Sequence, residues 1–292
     1  MLDKPAGPTS HDVVARMRRV LGTKRIGHTG TLDPFATGVL PLVIGRATRL
    51  ASFLSGEEKE YDAGIRFGLA TETYDGTRLT GPPIDPPAGL DRRAIEDALL
   101  AFRGTFDQMP PSYSAKKIEG VAAYKLARNN KPVALRAVPV TVSDLVLESY
   151  EHGLARVRVR ATAGFYVRSL AHDLGQRLGC GAHLESLRRT RAGAFGLEVA
   201  VPLEQAEADP AKAAAAMLSL ERLLPDIPAV VLNERGVWRA THGNELGPGD
   251  LDRVAPQQDG DARRRLLDDS GRLLGIAERR PGGLLHPVVV LV

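Results

Sequence analysis

Alternating apolar and polar residues predict several strands along the chain. The alternation is clearest in residues 59–69, where Tyr61 lies on the apolar side, and it returns in residues 154–160. A period of two residues is typical of a strand with one buried face. Residues 140–147 and the apolar run at 39–45 predict two further strands. Because helices separate these strands without a regular βαβ series, the pattern favours an α+β fold with a mixed sheet.

Apolar residues at helical spacing predict helices in residues 9–22, 95–104 and 170–179, and the alanine-rich composition of residues 203–218 predicts a fourth helix. Residues 27–38 hold three glycines and an Asp-Pro pair and predict a loop, and residues 107–136 predict a long extended loop. After residue 225 the pattern changes to short strand-like pieces with glycine turns. We therefore predict a larger domain over residues 1–225 and a small β-rich domain over residues 226–292.

Composition places the chain among ordinary globular proteins. Its 292 residues are 43% hydrophobic and 25% charged, which excludes disorder of the whole chain and fits about two domains. The longest apolar runs are too short to cross a bilayer, and the first residues do not resemble a signal peptide. We therefore expect a cytoplasmic protein with no membrane contact. The lone Cys180 excludes an intramolecular disulfide.

The basic residues are clustered although the net charge is only +4. The clusters are Arg16–Arg25, Arg156–Arg160 and Arg188–Arg191. Clustered bases suggest a polyanionic partner, because each phosphate contact releases counterions. A solvated, salt-bridged surface explains the same clusters equally well, so composition leaves both interpretations open.

Motifs for several kinds of chemistry are missing from the sequence. The seven histidines have neither His-x-His nor helical i, i+4 spacing, and there is no Cys-x-x-Cys, which excludes a structural zinc site. The phosphate-binding glycine loops and the Gly-x-Ser-x-Gly motif are also absent. What remains is Asp33, which the flanking Leu32 and Phe35 could place in a partly apolar pocket as a nucleophile. The alternative is that the Asp-Pro pair simply caps a turn.

The segment around Asp33 carries a resemblance. Residues 27–40 read Gly-His-Thr-Gly-Thr-Leu-Asp-Pro-Phe-Ala-Thr-Gly-Val-Leu, which resembles the signature of the TruB family of bacterial tRNA pseudouridine synthases. Further segments agree in the same order: Leu2–Pro5, Lys59–Tyr61, Gly164–Ser169 and Leu174–Arg189. The similarity covers roughly residues 1–200, and the remainder resembles a PUA-type RNA-binding domain. It implies a pseudouridine synthase core followed by a PUA-like domain.

The family acts on uridine 55 in the T loop of tRNA, moving the uracil from N1 to C5 attachment. The resemblance implies that Asp33 is the nucleophile, attacking either ribose C1′ or uracil C6. We expect Arg168 to pair with Asp33 and to lower the pKa of its carboxyl group. From spacing alone, the better interpretation of Arg168 is a surface charge at the start of a helix. The reaction needs no energy source, so no cofactor is expected.

The resemblance also assigns residues to the substrate nucleotide. It implies that Tyr61 stacks on the uracil, that Tyr166 contacts the same nucleotide, and that Leu187 adds an apolar or backbone contact. His28 would fill the space that the flipped base leaves. From the residues alone, Tyr61 and Leu187 are core positions and His28 is a loop hydrogen-bonder. If residues 166–168 are extended, Tyr166 and Arg168 point the same way.

The expected partner is the T stem-loop of tRNA, bound by a monomer without a protein partner. Arg16–Arg25 and Arg188–Arg191 would follow the phosphate backbone, and Lys116, Lys117 and Lys125 would close over the RNA. Two other functions stay open. One is a non-catalytic RNA-binding or RNA-folding module. The other is a cofactor-free hydrolase such as a nucleosidase, which ranks last because no second carboxylate has a suggestive position beside Asp33.

Overall fold

Contacts divide the described part of the chain into two compact units. The computed structural model describes residues 1–77, 79, 86, 88–114, 117–118, 121–123, 135–254 and 262–292. Unit 1 comprises Met1–Val13, Gly30–Leu40 and Gly56–Leu203, and unit 2 comprises Val14–Thr29, Pro41–Ser55 and Glu204–Val292. Neither unit is continuous in sequence, so the domain boundary near residue 225 stays a prediction.

The secondary structure mixes strands and helices along the whole chain. The described strands are β1 Leu2–Lys4, β2 Ile26–His28, β3 Thr37–Leu40, β4 Leu42–Ile44, β5 Lys59–Phe67, β6 Gly104–Gln108, β7 Lys117–Ile118, β8 Val121–Ala122, β9 Val138–Glu151, β10 Leu154–Ala161, β11 Ala182–Ala192, β12 Phe195–Gly196, β13 Val201–Pro202, β14 Ala229–Leu232, β15 Leu251–Val254, β16 Arg263–Leu267, β17 Leu273–Arg279 and β18 Leu285–Val290. The described α-helices are α1 Ser10–Val20, α2 Ala51–Ser55, α3 Arg92–Leu99, α4 Val167–Arg177, α5 Leu203–Ala208, α6 Pro210–Ala215 and α7 Glu234–Thr241. Short 3₁₀ helices span Gly45–Leu50, Leu100–Phe102, Leu197–Val199, Leu220–Arg222 and Pro248–Asp250.

Unit 1 is built on one large mixed sheet. Within the described residues its strand order is β13-β1-β3-β11-β5-β10-β9-β6, and β12 pairs with β11. The pairs β1–β13 and β3–β11 are parallel and the remaining pairs are antiparallel. Helix α4 packs on β5 and β11 and buries Leu170 and Leu174. The predicted α+β class with a mixed sheet is confirmed.

Unit 2 contains a separate sheet near the C-terminus. In the described residues its order is β15-β14-β16-β17-β18, with β14 and β16 parallel. Helix α7 packs on β14, β17 and β18. Their shared core includes Val230, Leu232, Ala240 and Leu266. The predicted β-rich C-terminal part is therefore present. Strands β2 and β4 form a small antiparallel ladder in the same unit.

Several predicted elements differ from those observed. The strand expected at 39–45 is divided at Pro41 into β3 and β4, which belong to different sheets. The helix expected at 203–218 is divided into α5 and α6, and Pro210 begins the second of them because it cannot donate to the preceding turn. Part of the loop expected at 107–136 is strand, since Gln108 ends β6 and β7–β8 form a hairpin. Much of that loop lies outside the described residues.

Candidate active site

Asp33 lies on a tight connection that leads into β3. Residues 30–36, here called the Asp33 loop, form no strand or helix of their own. Ser10 at the start of α1 fixes one side of the loop, because its hydroxyl accepts from the Leu32 amide at 2.9 Å and donates to the Leu32 carbonyl. The Gly7 amide donates to the carbonyl of Pro34 at 2.8 Å. The backbone on both sides of Asp33 is therefore held by unit 1.

A buried lysine anchors the loop from below. Lys4 on β1 is fully buried, and its Nζ donates to the carbonyls of Pro5, Pro34 and Ala36 at 2.8, 3.1 and 2.7 Å. Burial lowers the pKa of Lys4 to about 8, although the negative charge of Asp33 opposes that shift. In the sequence this lysine is only part of a motif, and no role was predicted for it. Its three carbonyl partners show that it positions the backbone around Asp33.

Arg189 anchors the backbone on both sides of Asp33. The side chain is 1% exposed, and its Nε and Nη2 donate to the carbonyls of Val39 and Gly30 at 2.7 and 3.1 Å. Beside it, Gly38 has φ +103°, and a Cβ at that position would lie 2.1 Å from the Arg189 carbonyl oxygen. Glycine is therefore required for this close backbone approach. Buried as it is, Arg189 does not follow an RNA backbone, and that prediction is wrong for this residue.

Arg168 pairs with Asp33 as predicted. Its Nε lies 2.9 Å from Asp33 Oδ2, and its Nη2 donates to Oδ1 at 3.2 Å. The arginine side chain is 5% exposed and the aspartate side chain 31% exposed. The two-point contact fixes the plane of the carboxylate and leaves part of it open to a ligand.

Further acceptors surround the same guanidinium. Arg168 Nη1 donates to the Thr73 carbonyl at 3.1 Å, and Nη2 donates to the Tyr113 carbonyl at 2.9 Å. The buried Asp75 lies 3.7 Å from Nη1 through Oδ2. Its Oδ1 accepts from the hydroxyls of Thr73 and Thr77. Asp75 therefore orients Arg168 and is itself oriented by its own loop.

Asp75 also corrects an argument made from sequence. No second carboxylate had a suggestive position near Asp33, yet Asp75 faces the same guanidinium. Forty-two residues separate the two aspartates in the numbering, and neither periodicity nor spacing indicates their proximity. The buried carboxylate of Asp75 accepts a hydrogen bond from Thr73 through one oxygen and faces Arg168 through the other.

Arg168 lowers the pKa of Asp33 as expected, but burial outweighs this effect. Burial raises the pKa of the Asp33 carboxyl above its usual 3.8, and the charge of Asp75 adds to that shift. Arg168 and Lys4 lower the pKa of Asp33, as a cation should, but they do not outweigh burial. Arg168 therefore both orients the carboxylate and limits the rise in its pKa.

Tyr166 comes immediately before α4 and is fixed by a buried glutamine. Gln108 on β6 accepts from the Tyr166 amide at 2.7 Å and donates to its carbonyl at 3.1 Å. Burial raises the pKa of the Tyr166 hydroxyl; the charges of Asp33 and Tyr61 also raise it, and that of Arg168 lowers it. The structure therefore brings these predicted residues into one electrostatic environment.

Residues 166–168 are not one extended stretch, so strand alternation does not align Tyr166 with Arg168. Tyr166 is extended at the N-cap, and Arg168 lies in the first turn of α4. The two side chains are therefore placed by a helix start and not by strand alternation.

The remaining predicted residues occupy different places. Tyr61 is partly buried on β5, opposite Val159 and Arg189 in the neighbouring strands. Leu187 is buried on β11 opposite Ala63. His28 lies on β2 in unit 2, where its backbone pairs with Leu42. Their contacts with a nucleotide stay predictions.

The basic clusters are partly explained by partners within the protein. Arg158 lies within 3.7 Å of Asp144 and Glu148, and Arg160 lies 3.0 Å from Glu58. Arg188 lies 2.7 Å from Asp3. A salt-bridged surface therefore describes much of the second cluster. The side chains of Lys116, Lys117 and Lys125, expected to close over RNA, lie outside the described part of the structure.

The described residues contain neither a metal-binding cluster nor a membrane-spanning helix. No group of three or more His, Cys, Asp or Glu side chains there could hold a metal ion. Likewise, no helix in the described ranges has the length and apolar character needed to cross a membrane.

Comparison with known proteins decides the family. Residues 18–167 match the TruB family pseudouridylate synthase N-terminal domain. The chain belongs to the TruB family. Residues 168–227 match the C-terminal domain of tRNA pseudouridylate synthase B. The two matches meet between Val167 and Arg168, so the Asp33–Arg168 pair joins residues from both TruB segments.

TruB relatives cover the chain from end to end. A tRNA pseudouridine synthase B from Solibacter usitatus (strain Ellin6076) is 44% identical over 100% of this chain and 98% of its own. Another from Thermobifida fusca (strain YX) is 40% identical over 99% of this chain and 97% of its own.

Solved structures support the same fold. The crystal structure of a Cbf5-Nop10-Gar1 complex matches with a TM-score of 0.76 and 28% identity, covering 100% of this chain and 84% of the matched one. An H/ACA RNP bound to a substrate RNA containing 2′-deoxyuridine matches with a TM-score of 0.74 and 25% identity, over the same shares of the two chains. The large mixed sheet of this TruB protein is therefore a pseudouridine synthase sheet.

Proposed function

We propose that this protein converts uridine 55 in the T loop of tRNA to pseudouridine, with Asp33 as the nucleophile. The observation that carries the proposal is the two-point contact of Arg168 with a carboxylate that is 31% exposed, on a loop held by buried Lys4 and Arg189. Membership of the TruB family and the relatives named tRNA pseudouridine synthase B support the same reaction.

The reaction rearranges bonds within one nucleotide. The N1–C1′ glycosidic bond breaks, a C5–C1′ bond forms, and the hydrogen on C5 is replaced by one on N1. A carboxylate can act on either ribose C1′ or uracil C6, and both routes need Asp33 ionised. Because nothing is oxidised, reduced or hydrolysed overall, the proposed chemistry needs only side chains.

The target uridine must leave the stacked T loop before it can react. Extrusion of a base costs a few kcal/mol, which contacts with the flipped nucleotide can offset. In this proposal Tyr61 and Tyr166 contact the flipped nucleotide, Leu187 lines its pocket and His28 occupies the vacated space. The charges of Tyr61 and Asp33 act on the Tyr166 hydroxyl, and this supports a pocket shared by Tyr61 and Tyr166.

The C-terminal part is proposed to be a PUA-like RNA-binding domain over residues 226–292. The second family match ends at residue 227, and the C-terminal sheet begins at Ala229. We further propose that the protein acts on tRNA in the cytoplasm as a monomer. Sedimentation with and without tRNA tests the monomer.

The decisive test is product formation on an unmodified tRNA transcript carrying tritium at uracil C5. Wild-type protein should release tritium to water and place pseudouridine at position 55, whereas Asp33→Asn should bind the transcript and form no product. Full turnover by Asp33→Asn would show that Asp33 is not the nucleophile. Free uracil would identify a hydrolase, and tight binding without product by the wild type would identify an RNA-binding module.

A further inference from the structure

The C-terminal unit exposes the chain's single tryptophan. Trp238 lies on α7 and is 59% exposed. Its ring stacks on His242 with centroids 4.6 Å apart and an angle of 29° between the planes. An indole is the largest apolar side chain, and leaving it in water on a rigid helix forgoes the free energy of burial. This position therefore suggests a ligand that covers the ring.

Two arginines share the face of α7 that carries this tryptophan. Arg235, Trp238, Arg239 and His242 follow the i, i+3, i+4, i+7 spacing, which places them within an arc of about 100° on one side of the helix. We call these four residues the α7 face. Glu234, the acidic residue of the helix, lies outside this arc. The α7 face thus presents an aromatic ring between cationic groups.

The opposite side of the helix is fixed in the core. Ala240 is buried in the C-terminal core, and Val237 packs against it. The Asn233 side chain caps the helix by accepting from the Gly236 amide at 2.9 Å. The α7 face therefore stands on a rigid element, so a ligand does not have to order it.

The arginine side chains are held at their inner ends. Asp250, which is buried, lies 3.1 Å from Arg235 Nε and 3.5 Å from Arg239 Nε. Arg239 also donates from Nε and Nη2 to the Glu245 carbonyl at 2.9 and 2.7 Å. Arg235 remains 72% exposed despite its ion pair. Anchored guanidinium groups lose less conformational entropy when they bind an anion.

We propose that the α7 face is an RNA contact surface, on which an unpaired base stacks on Trp238 while Arg235 and Arg239 contact the adjoining phosphates. Aromatic rings flanked by arginines bind nucleic acid in this way, because every base has a π-face and every linkage carries a negative charge. This inference rests on the proposed function, which supplies tRNA as the ligand. It adds an RNA contact surface in unit 2 to the one proposed around Asp33.

The lone tryptophan provides a direct readout. Unmodified tRNA transcript, titrated into wild-type protein under selective tryptophan excitation, should quench the fluorescence saturably as the base stacks. Trp238→Ala should raise KM for tRNA about tenfold, the effect of losing one base stacked on an aromatic ring, with kcat unchanged. Trp238→Phe keeps an aromatic ring and should restore KM to within about twofold of the wild type. Thermal unfolding checks that each variant remains folded.

A charge variant tests the phosphate contacts. Arg235→Gln should weaken tRNA binding and reduce the slope of log affinity against log salt by about one phosphate contact. Arg93→Gln removes a comparable exposed charge, 89% exposed on α3, and should leave that slope unchanged.

The outcomes separate this inference from the proposed function. If the wild type forms pseudouridine but tRNA leaves the fluorescence and the KM of Trp238→Ala unchanged, the α7 face is not an RNA surface and the catalytic assignment stands. If Trp238→Ala instead abolishes self-association or capture of a protein, with RNA affinity intact, the face binds protein and the inference is wrong. Quenching without any pseudouridine formation upholds the α7 face and overturns the proposed reaction.

Discussion

Gly38 and Arg189 pack backbone against backbone at the parallel junction of β3 and β11. A Cβ at Gly38 would lie 2.1 Å from the Arg189 carbonyl oxygen and 2.8 Å from its nitrogen, and the glycine has φ +103°. The same Arg189 donates to the carbonyls on both sides of the Asp33 loop. This contact therefore links the geometry of the sheet to that of the proposed nucleophile.

Gly38→Ala should destabilise the protein and remove its activity. An alanine is strained at this φ and overlaps backbone that cannot move without breaking the β3–β11 pairing, so we expect a loss of more than about 2 kcal/mol in the free energy of unfolding. Urea unfolding measures this loss. Gly249→Ala is the matched control, because a Cβ there has no neighbour within 4 Å; its change should stay within about 0.5 kcal/mol. Equal changes in both variants would contradict the prediction.

Arg168→Lys should lower kcat for pseudouridine formation at least about a hundredfold with little change in KM. Lysine keeps the positive charge but cannot contact both oxygens of Asp33 while donating to Thr73 and Tyr113, so the carboxylate loses its fixed orientation. Single-turnover kinetics on a tRNA transcript measures the effect. Retention of wild-type kcat would show that charge alone is sufficient.

The acid limb of the profile of kcat/KM against pH should lie at a higher pH than an ordinary aspartate would give. Burial and Asp75 raise the pKa of Asp33 above 3.8, and the proposed reaction needs the ionised form, so kcat/KM should fall as the pH drops through that raised pKa. Asp75→Asn removes the negative charge but keeps an oxygen for Thr73 and Thr77. The limb should then move to lower pH. The measurement is the pH at the midpoint of the acid limb, and not the maximal rate. A shift of this midpoint to higher pH in Asp75→Asn would contradict the prediction.

Lys4→Met should destabilise the protein by about 1–3 kcal/mol at pH 7, because buried carbonyls of the Asp33 loop lose their donor. Lys4 also has a distinct pH signature. Burial lowers its pKa from 10.5 to about 8, so between these values the unfolded state binds more protons and the stability contributed by Lys4 rises with pH.

The difference in unfolding free energy between wild type and Lys4→Met should therefore grow from pH 7.5 to pH 9.5, the two sides of the pKa of about 8. Taking this difference removes the contribution of Lys59, whose pKa is also lowered to about 8. A difference that is constant over this range would contradict the environment described for Lys4.

The large-scale fold and the Asp33–Arg168 pair were both predicted from the sequence, but on different grounds. Alternation located β5 and β10 because their faces differ in polarity, and this pattern is local. The ion pair came from family resemblance, since no local pattern joins residues 135 positions apart. Lys4, Asp75 and Gln108 were assigned no role because each acts through residues distant in sequence: Lys4 and Gln108 bind backbone groups, and Asp75 contacts the Arg168 side chain. Residues of this kind leave no periodic trace in a sequence.

The strand order also constrains when the protein can acquire its proposed chemistry. β1 lies between β3 and β13, and β3 lies between β1 and β11. Strands β1 and β3 are therefore completed by Ala182–Ala192 and Val201–Pro202, which are synthesised well after them. The nascent Asp33 loop lacks Arg168 until Val167–Arg177 is made, and it lacks Arg189 until Ala182–Ala192 is made. A chain stalled before residue 168 therefore carries the signature motif without the arginines that orient its aspartate, and the proposed site is completed only as these later segments are synthesised.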